Sequence, residues 1–564
     1  MFDAIVIGSG MSGGIAAKEL TERGLKTLVL ERGNEIVHRK DYKDMVMPWD
    51  MPNAGRVAEE ELARDYHYQR DCYAVNNLTK EFFVKDSDHP YTHPEDKPFR
   101  WIRGYHTGGR SVMWGRQTYR MSDMDFEANA RDGHGVDWPI RYADLAPWYS
   151  HVEDFIGVSG SNEGLEQLPD GEFLPAFELN DGELVFKERI ESQFEGLRKV
   201  IPARVAHLTV TRDKDRELGR VQCQVRSICE RGCSFGANHS SLSSSLPAAK
   251  RTGNLTIVHD AIVEGIDYDP ATRRVTGVRV VDRTTKARTT YEAKVIFSCA
   301  STIGTATILL NSVSEAFPRG LANSSDQVGR NIMDHLFALG TLGTLPNAPD
   351  TYYFGRRPGG IYIPRFRNLP GREDDVSFVR GYGYQGGAQR SGGISAASGA
   401  GIGKEFKERP RKLGPWQISL AGFGEILPQE SNRVTLSATE ADQWGIPVPH
   451  IDCEFGPNER AMAEQIQADA RTMIEAAGGT VLGQSTQPGK FGLGIHEMGT
   501  ARMGRDPKTS VLNKWNQAHD VPNLFVTDGA AMASSACQNP SLTYMALSAR
   551  AADAAASMLA EGAI

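Results

Sequence analysis

Asp3-Ala4-Ile5-Val6-Ile7-Gly8-Ser9-Gly10-Met11-Ser12-Gly13-Gly14 opens the chain. Ala4 to Ile7 is a short, uninterrupted apolar run, the pattern of a strand buried on both faces of a parallel sheet. Glycines follow in the spacing Gly-x-Gly-x-x-Gly, and a helical pattern then runs through Ile15, Ala16, Leu20 and Arg23. Gly24 suits the C-terminus of that helix. Leu25 to Leu30 read as a second apolar strand, ending at Glu31. Strand, glycine turn, helix, strand and acid in this order predict a dinucleotide-binding unit. Gly8 permits the tight turn, Gly10 lets the backbone approach a pyrophosphate, and Gly13 lets the helix pack close to the strand. The helix N-terminus offers free N–H groups to the phosphates. Glu31, 18 residues after Gly13, can accept from both ribose hydroxyls and would repel a 2′-phosphate. The motif therefore disfavours NADP, and it does not choose between FAD and NAD.

A chain of 564 residues is too long for one simple core, so two or more lobes are expected. Apolar residues make up 40% and charged residues 24%, the balance of an ordinary globular protein. The sequence has no run of eighteen apolar residues, which argues against a membrane span. The net charge of −8, with no strong basic patch, argues against a nucleic-acid partner. Met1-Phe2 runs straight into the first strand without a signal-peptide pattern, so a cytoplasmic site or export together with another subunit is expected. Val275 to Val281 and Ala293 to Phe297 are rich in strand formers. Ser301 to Leu310 and Leu542 to Leu559 read as helices.

Five further stretches choose the cofactor. Arg103-Gly104-Tyr105-His106-Thr107-Gly108-Gly109-Arg110-Ser111-Val112-Met113-Trp114 resembles the flavin-contacting loop of the glucose–methanol–choline (GMC) oxidoreductases. Gly329 to His335, reading Gly-Arg-Asn-Ile-Met-Asp-His, resembles a second segment of that family. His496-Glu497-Met498-Gly499-Thr500 with Asn523 to Gly529, and Asn539-Pro540-Ser541-Leu542-Thr543, resemble its C-terminal blocks. The resemblance implies an α/β FAD-binding Rossmann-like domain with an α+β substrate-binding domain of antiparallel sheet plus helices, both discontinuous in sequence. The FAD domain is expected from 1–140, 196–335 and 486–564, and the substrate domain from 141–195 and 336–485. Cofactor contacts are expected from Gly8, Gly10, Gly13, Glu31, Arg32, Gly108, Gly109, Ser111, Trp114, Asp528, Gly529, Asn539, Pro540 and Thr543. In some relatives a His of the flavin loop bonds covalently to FAD. The matching position here is Met113, which implies noncovalent FAD, and His106 does not align with it.

Alcohol oxidation by flavin sends a hydride to the ring and a proton to a base, for which His is suited. The resemblance places His496 as that base and Asn539 as the group that orients the substrate oxygen. Asn539 before Pro540 also suits a plain turn.

Seven cysteines are present, and three of them form Cys223-x5-Cys229-x3-Cys233. Clustered thiols suit an iron–sulfur centre, a zinc ion with His239 as a further ligand, or simple reduced cysteines. The spacing resembles the cluster motif in catalytic subunits of bacterial FAD-dependent sugar dehydrogenases, which implies a [3Fe–4S] centre on Cys223, Cys229 and Cys233. It also implies a c-type cytochrome as electron acceptor and a small accessory subunit bearing the export signal, hence a periplasmic location. The whole chain looks most like glycoside 3-dehydrogenases, with a sugar or glycoside as substrate. Glucose C1, gluconate C2 and fructose C5 are the other regiochemistries, and a sugar oxidase or a non-redox flavin lyase are the competing classes. Gly381 to Lys404, rich in Gly, Ser and Ala, is expected to be a loop near the substrate. Such aromatics as Tyr382, Tyr384, Trp416 and Phe423 are more often core residues, although these four could stack on a sugar. Gly424-Glu425 through Asn432 to Leu436 is expected to form a strand pair beneath it.

Overall fold

The computed structural model describes residues 1–351, 358–372, 374–392, 402–408 and 411–564. Its first sheet is built around the opening strand Phe2–Ile7, whose inner residues are fully buried. That strand lies parallel to Thr27–Leu30 on one side and to Arg288–Ser298 on the other, with Ile5 opposite Leu28 and Ile296. Leu255–Val258 continues the sheet beyond Thr27–Leu30, again in parallel. The long strand Arg288–Ser298 does two jobs. Its first half pairs antiparallel with Arg274–Asp282, and its last residues pair in parallel with Leu524–Val526. The C-terminal part of the chain thus returns to the first sheet, as a discontinuous domain requires. With Ala261–Asp269, which pairs antiparallel with Arg274–Asp282, seven strands result.

The helix Met11–Glu22 packs on this sheet and against the C-terminal helix Ser541–Ala560. Ala16 and Ala17 meet a core that includes Ala551, Ala552 and Ala555, small side chains that let two helices approach closely. The helix Tyr142–Ile156, expected in the substrate domain, also packs on Ser541–Ala560. Its Leu145, Tyr149, Val152 and Ile156 share a core with Leu542, Met545 and Ala546.

The second sheet has six strands in the order Val481–Gln484, His335–Thr344, Leu413–Glu425, Tyr382–Gly392, Ile361–Ile363 and Ile201–Pro202, all antiparallel. Met462, Ala463, Ile466, Ala470, Met473 and Ile474 of the helix Pro457–Ala476 repeat at helical spacing and are buried with Tyr382, Tyr384, Ile418 and Leu420. Ile201–Pro202, expected in the first domain, closes the edge of this second sheet.

Two sequence expectations are corrected here. Tyr382 to Gly392 is a strand, not a loop, because its residues pair with Leu413–Glu425 over nearly its whole length. Residues 393–401 of that expected loop lie outside the described residues. Leu413–Glu425 and Arg433–Ala441 do not pair with each other, since Arg433–Ala441 forms a separate ribbon with Pro447–Asp452. Tyr382, Tyr384 and Trp416 are core residues, and of the four aromatics only Phe423 lines the cavity described below. Among the described residues no helix is long and apolar enough to cross a membrane.

Candidate active site

One continuous cleft runs from the opening glycine turn to the C-terminal His-Asn pair. Gly8, Ser9, Gly10, Glu31 and Arg32 line one end. Gly109, Ser111, Met113 and Trp114 line its middle wall, and Phe337, Phe423, His496 and Asn539 the other end. Asp528, Gly529 and Ser541 line it too. Of the expected contact residues, Gly13, Gly108, Pro540 and Thr543 are not on its wall. Thr543 is fully buried and its hydroxyl meets the Tyr149 hydroxyl at 2.9 Å.

The glycines show what the first end accommodates. A Cβ on Gly13 would lie 1.9 Å from the Gly8 carbonyl oxygen, so Gly13 serves the close packing of helix on strand. Gly8 has φ +97°, and a Cβ there would lie 2.6 Å from the Cys299 carbonyl oxygen. Gly10 is different. The nearest protein atom to a Cβ there would be the Gly108 carbonyl oxygen at 3.9 Å. The protein itself does not need Gly10 to be small, whereas a ligand lying against it does. A dinucleotide pyrophosphate fits this observation.

Glu31 is buried on the same wall. Its carboxylate accepts from the Gly33 N–H at 2.9 Å, the Ser9 N–H at 3.1 Å and the Ser9 hydroxyl. A carboxylate offers about four lone-pair directions. One is therefore left, on Oε1, so Glu31 can take one ribose hydroxyl and not the two expected. Burial pushes the Glu31 carboxyl above the usual range, against these hydrogen bonds. The Arg32 guanidinium lies 4.6 Å from the Tyr105 ring and 3.6 Å from Asp442.

At the middle wall, Ser111 Oγ donates to the Gly108 carbonyl at 2.6 Å and accepts from the Ser241 N–H at 3.0 Å. The Trp114 indole N–H donates to the His239 carbonyl at 2.9 Å. These bonds hold the loop in place along the cleft. His106 is turned into the protein, with Nδ1 2.9 Å from the Thr107 carbonyl and its pKa held down to about 4 by burial. Among the described residues on the wall, His496 is the only histidine.

At the far end four side chains form a chain. His335 Nε2 lies 2.9 Å from the Ala536 carbonyl, and His335 Nδ1 lies 2.8 Å from His496 Nδ1. His496 Nε2 lies 3.2 Å from Asn539 Nδ2, and Asn539 Oδ1 accepts from Gln385 Nε2 at 2.6 Å. Burial pushes the His496 pKa well below its ordinary value, with further lowering from His335 and the Arg110 guanidinium. His496 is thus neutral near pH 7, as a proton acceptor must be.

The backbone presenting His496 is strained. Ile495 has φ +62°, a left-handed conformation that a β-branched residue rarely adopts. Asp334 holds the strain in place, accepting from the Gly494 and His496 N–H groups at 2.9 Å each. Burial, aided by the neighbouring Glu497, raises the Asp334 pKa to about 7. Glu497 in turn is buried against Arg110 at 2.7 Å. Asp528 caps the turn Gly529–Ala531 and accepts from Thr305, with burial raising its pKa to about 6.

Sequence reasoning named no role for His335, Gln385, Arg110, Glu497 or Asp334. All but Gln385 lie inside stretches already singled out for their resemblance. Gln385 lies in the stretch read as a loop, and only the strand pairing brings it to the site.

The three clustered cysteines are free and partly buried. Cys223 Sγ accepts from the Val225 N–H at 3.4 Å. Their loop is tied down by Asp44, which accepts from the Ser234 N–H at 2.9 Å, the Ser234 hydroxyl at 2.7 Å and the Arg226 guanidinium. Among the described residues, no group of three or more His, Cys, Asp or Glu side chains is gathered to hold a metal ion. The zinc alternative draws on His239, which is engaged elsewhere. His239 is fully buried, with Nδ1 2.7 Å from the Ser244 hydroxyl and its ring against Trp114. The imidazole beside the cysteines is His207, whose Nε2 is 3.6 Å from Cys229 Sγ.

A dinucleotide cleft that ends on a neutral histidine and an amide suits an enzyme that oxidises alcohols. Residues 2–337 and 428–548 match the N- and C-terminal parts of the GMC oxidoreductases, and the chain belongs to that family. It is similar to the fructose dehydrogenase large subunit of Gluconobacter japonicus, at 28% identity over 99% of this chain and 98% of the relative. It is also similar to the gluconate 2-dehydrogenase flavoprotein of Pantoea cypripedii, at 24% identity over 97% of this chain and 92% of the relative. Pyridoxine 4-oxidase from Mesorbium loti shares the fold, with a TM-score of 0.60 at 18% identity over 98% of both chains. The protein is accordingly an FAD-dependent GMC oxidoreductase acting on CH–OH donors.

Proposed function

We propose that this protein oxidises a secondary hydroxyl of a sugar, at C3 of glucosides and disaccharides, to a 3-keto sugar. One observation carries the reading of the site: the cleft that begins at Gly10 and Glu31 ends at His496 and Asn539. FAD, held without a covalent bond, accepts a hydride when bound. The protein's part is to hold the hydroxyl against His496 and Asn539, to take its proton on His496 Nε2, and to keep the site shielded by Phe337 and Phe423. The helix Ser541–Ala560 starts at this wall, and its positive end favours negative charge on the neighbouring ligand. The sugar class is supported by relatives named for fructose and gluconate.

Cys223, Cys229 and Cys233 would hold a [3Fe–4S] cluster, which supplies one-electron chemistry for delivery to an external acceptor such as a c-type cytochrome. Three free thiols on one tethered loop support this donor set, because in a cluster each thiolate takes its own iron and need not converge on a single ion. Relatives named as a large subunit and as a flavoprotein support a multi-subunit enzyme. A small accessory subunit carrying the export signal, and hence a periplasmic location, complete the proposal.

Anaerobic mixing with a panel of glucosides, followed by NMR of the product, tests the reaction. Flavin bleaching with a 3-keto product is expected. Bleaching with another carbon oxidised overturns the regiochemistry, and no bleaching by any sugar overturns the substrate class. Iron and sulfide analysis of the purified protein tests the cluster, and iron-free protein with full dye-linked activity rejects it. Oxygen consumption without added dye would show an oxidase.

A further inference from the structure

We propose that His335 and Gln385 are positioning residues that set the proton polarity of the His496–Asn539 pair. The inference rests on the reading of His496 as the base.

The direction of the chain follows from its end. The Ala536 carbonyl can only accept, so His335 Nε2, 2.9 Å away, carries a hydrogen. His335 is buried, which holds its pKa down to about 4 and keeps it neutral near pH 7. Its Nδ1 is therefore a lone pair. His496 Nδ1, 2.8 Å away, must donate to it. The neutral His496 then has no hydrogen left for Nε2, and Asn539 Nδ2 donates there across 3.2 Å. Asn539 Oδ1 is left to accept from Gln385 Nε2 at 2.6 Å. Reversing any one link would set two hydrogens or two lone pairs face to face.

The consequence is chemical. The bare atom of His496 is the one on the cleft side, and the amide end that Asn539 presents there is the donor. A substrate hydroxyl that displaces the Asn539 N–H from His496 gives its proton to His496 Nε2 and accepts from Asn539 Nδ2. The O–H bond breaks and an N–H bond forms, while His496 Nδ1 keeps its bond to His335. The chain stops inward at a carbonyl that cannot take a proton, so the proton leaves through the cleft.

Gln385→Glu tests the polarity by exchanging an amide nitrogen for an oxygen. An ionised carboxylate at this position cannot donate to Asn539 Oδ1. The Asn539 amide then turns over and sets its oxygen against His496 Nε2. With the glucoside that bleaches the wild-type flavin fastest, Gln385→Glu is expected to bleach about tenfold or more slowly at pH 8, with FAD content unchanged. Its rate should recover as the pH falls and the introduced carboxyl protonates to a donor. The wild type should move the other way, losing rate as His496 protonates. The titratable and charged groups around His496 are His335, Arg110, Glu497 and Asp334, the last with a pKa of about 7, and they are common to both proteins. A wild-type rate at pH 8, or a loss equal at every pH, overturns the inference.

His335 supplies a second reading. His335→Phe removes the acceptor and should slow bleaching about tenfold or more, while His335→Gln, which keeps an acceptor and a donor, should stay within about threefold of wild type. A His335→Gln variant as slow as His335→Phe overturns the role. Full activity of His496→Ala would instead refute the base itself, an outcome that no result at Gln385 can imitate.

Discussion

Gly10→Ala and Gly13→Ala are expected to separate cofactor binding from folding. The two glycines are three residues apart in one turn, yet their surroundings differ. A Cβ at position 13 would lie 1.9 Å from the Gly8 carbonyl oxygen, 2.9 Å from its carbon and 3.3 Å from Cys299 Cβ. The helix Met11–Glu22 would have to move by about the overlap, and overpacking of this kind costs roughly 1–3 kcal/mol. Position 10 has φ −70°, which alanine adopts freely, and no protein atom closer than 3.9 Å. Gly10→Ala should leave the apoprotein unchanged or stabilise it by about 0.4–1 kcal/mol through the unfolded state. Its methyl projects where the pyrophosphate would lie. Losing one charge-assisted hydrogen bond to the phosphates costs about 1.5–3 kcal/mol, which weakens FAD binding about 10- to 150-fold. The assay is titration of each apoprotein with FAD by flavin fluorescence, alongside thermal melts with and without FAD. Wild type with FAD at about a thousand times Kd should gain about 4 kcal/mol of stability, and Gly10→Ala much less. Wild-type FAD affinity in Gly10→Ala would refute the reasoning about the cleft. An unchanged apoprotein melt in Gly13→Ala would refute the reasoning about packing.

His496→Ala should lower the rate of anaerobic flavin bleaching by about 10²- to 10⁴-fold with FAD retained, because the cofactor cradle is built elsewhere. Rapid mixing measures it, and a rate indistinguishable from wild type would remove His496 as the base. Asp334 has a folded pKa of about 7 against an ordinary value of 3.8. The protonated form is favoured in the fold, so its stabilising contribution is complete below the unfolded value and lost as pH rises toward 7. Asp334→Asn should therefore gain stability relative to wild type by about 2–4 kcal/mol between roughly pH 4 and pH 8, read as a widening difference in melting temperature. A constant difference would contradict the assignment. Arg380 is fully buried and binds Glu425 at 2.7 Å and Asn129 at 2.9 Å, tying the helix Ala128–Asp132 to the second sheet. Arg380→Met should cost about 3–5 kcal/mol by leaving Glu425 charged and buried, and denaturant unfolding of Arg380→Met with Glu425→Gln should recover part of that loss.

Local signals carry much of the first sheet. The run Ala4 to Ile7, the glycines and Glu31 are close in sequence and act through backbone geometry, so their spacing already states their arrangement. The strands at 274–282 and 288–298 and the helices at 302–311 and 541–560 are legible from periodicity for the same reason. The stretch beginning at Gly381 reads as a loop because Gly, Ser and Ala are poor strand formers by composition. Its place in a strand comes from pairing with Leu413–Glu425, which no local rule contains. Likewise Tyr382 and Tyr384 have the chemistry to stack on a sugar, but the helix Pro457–Ala476 covers them.

The sequence by itself determined the dinucleotide turn and the family blocks, and through their resemblance it put forward His496 and Asn539 as residues suited to alcohol oxidation. Only the tertiary structure decided which atoms of those residues face the cleft. His335 reaches His496 from 161 positions away along the chain, and Gln385 reaches Asn539 from 154 positions away. The direction of a hydrogen-bond chain depends on what stands at its end, here the Ala536 carbonyl. Such neighbours are supplied by strand pairing and the course of distant loops, not by spacing in the sequence.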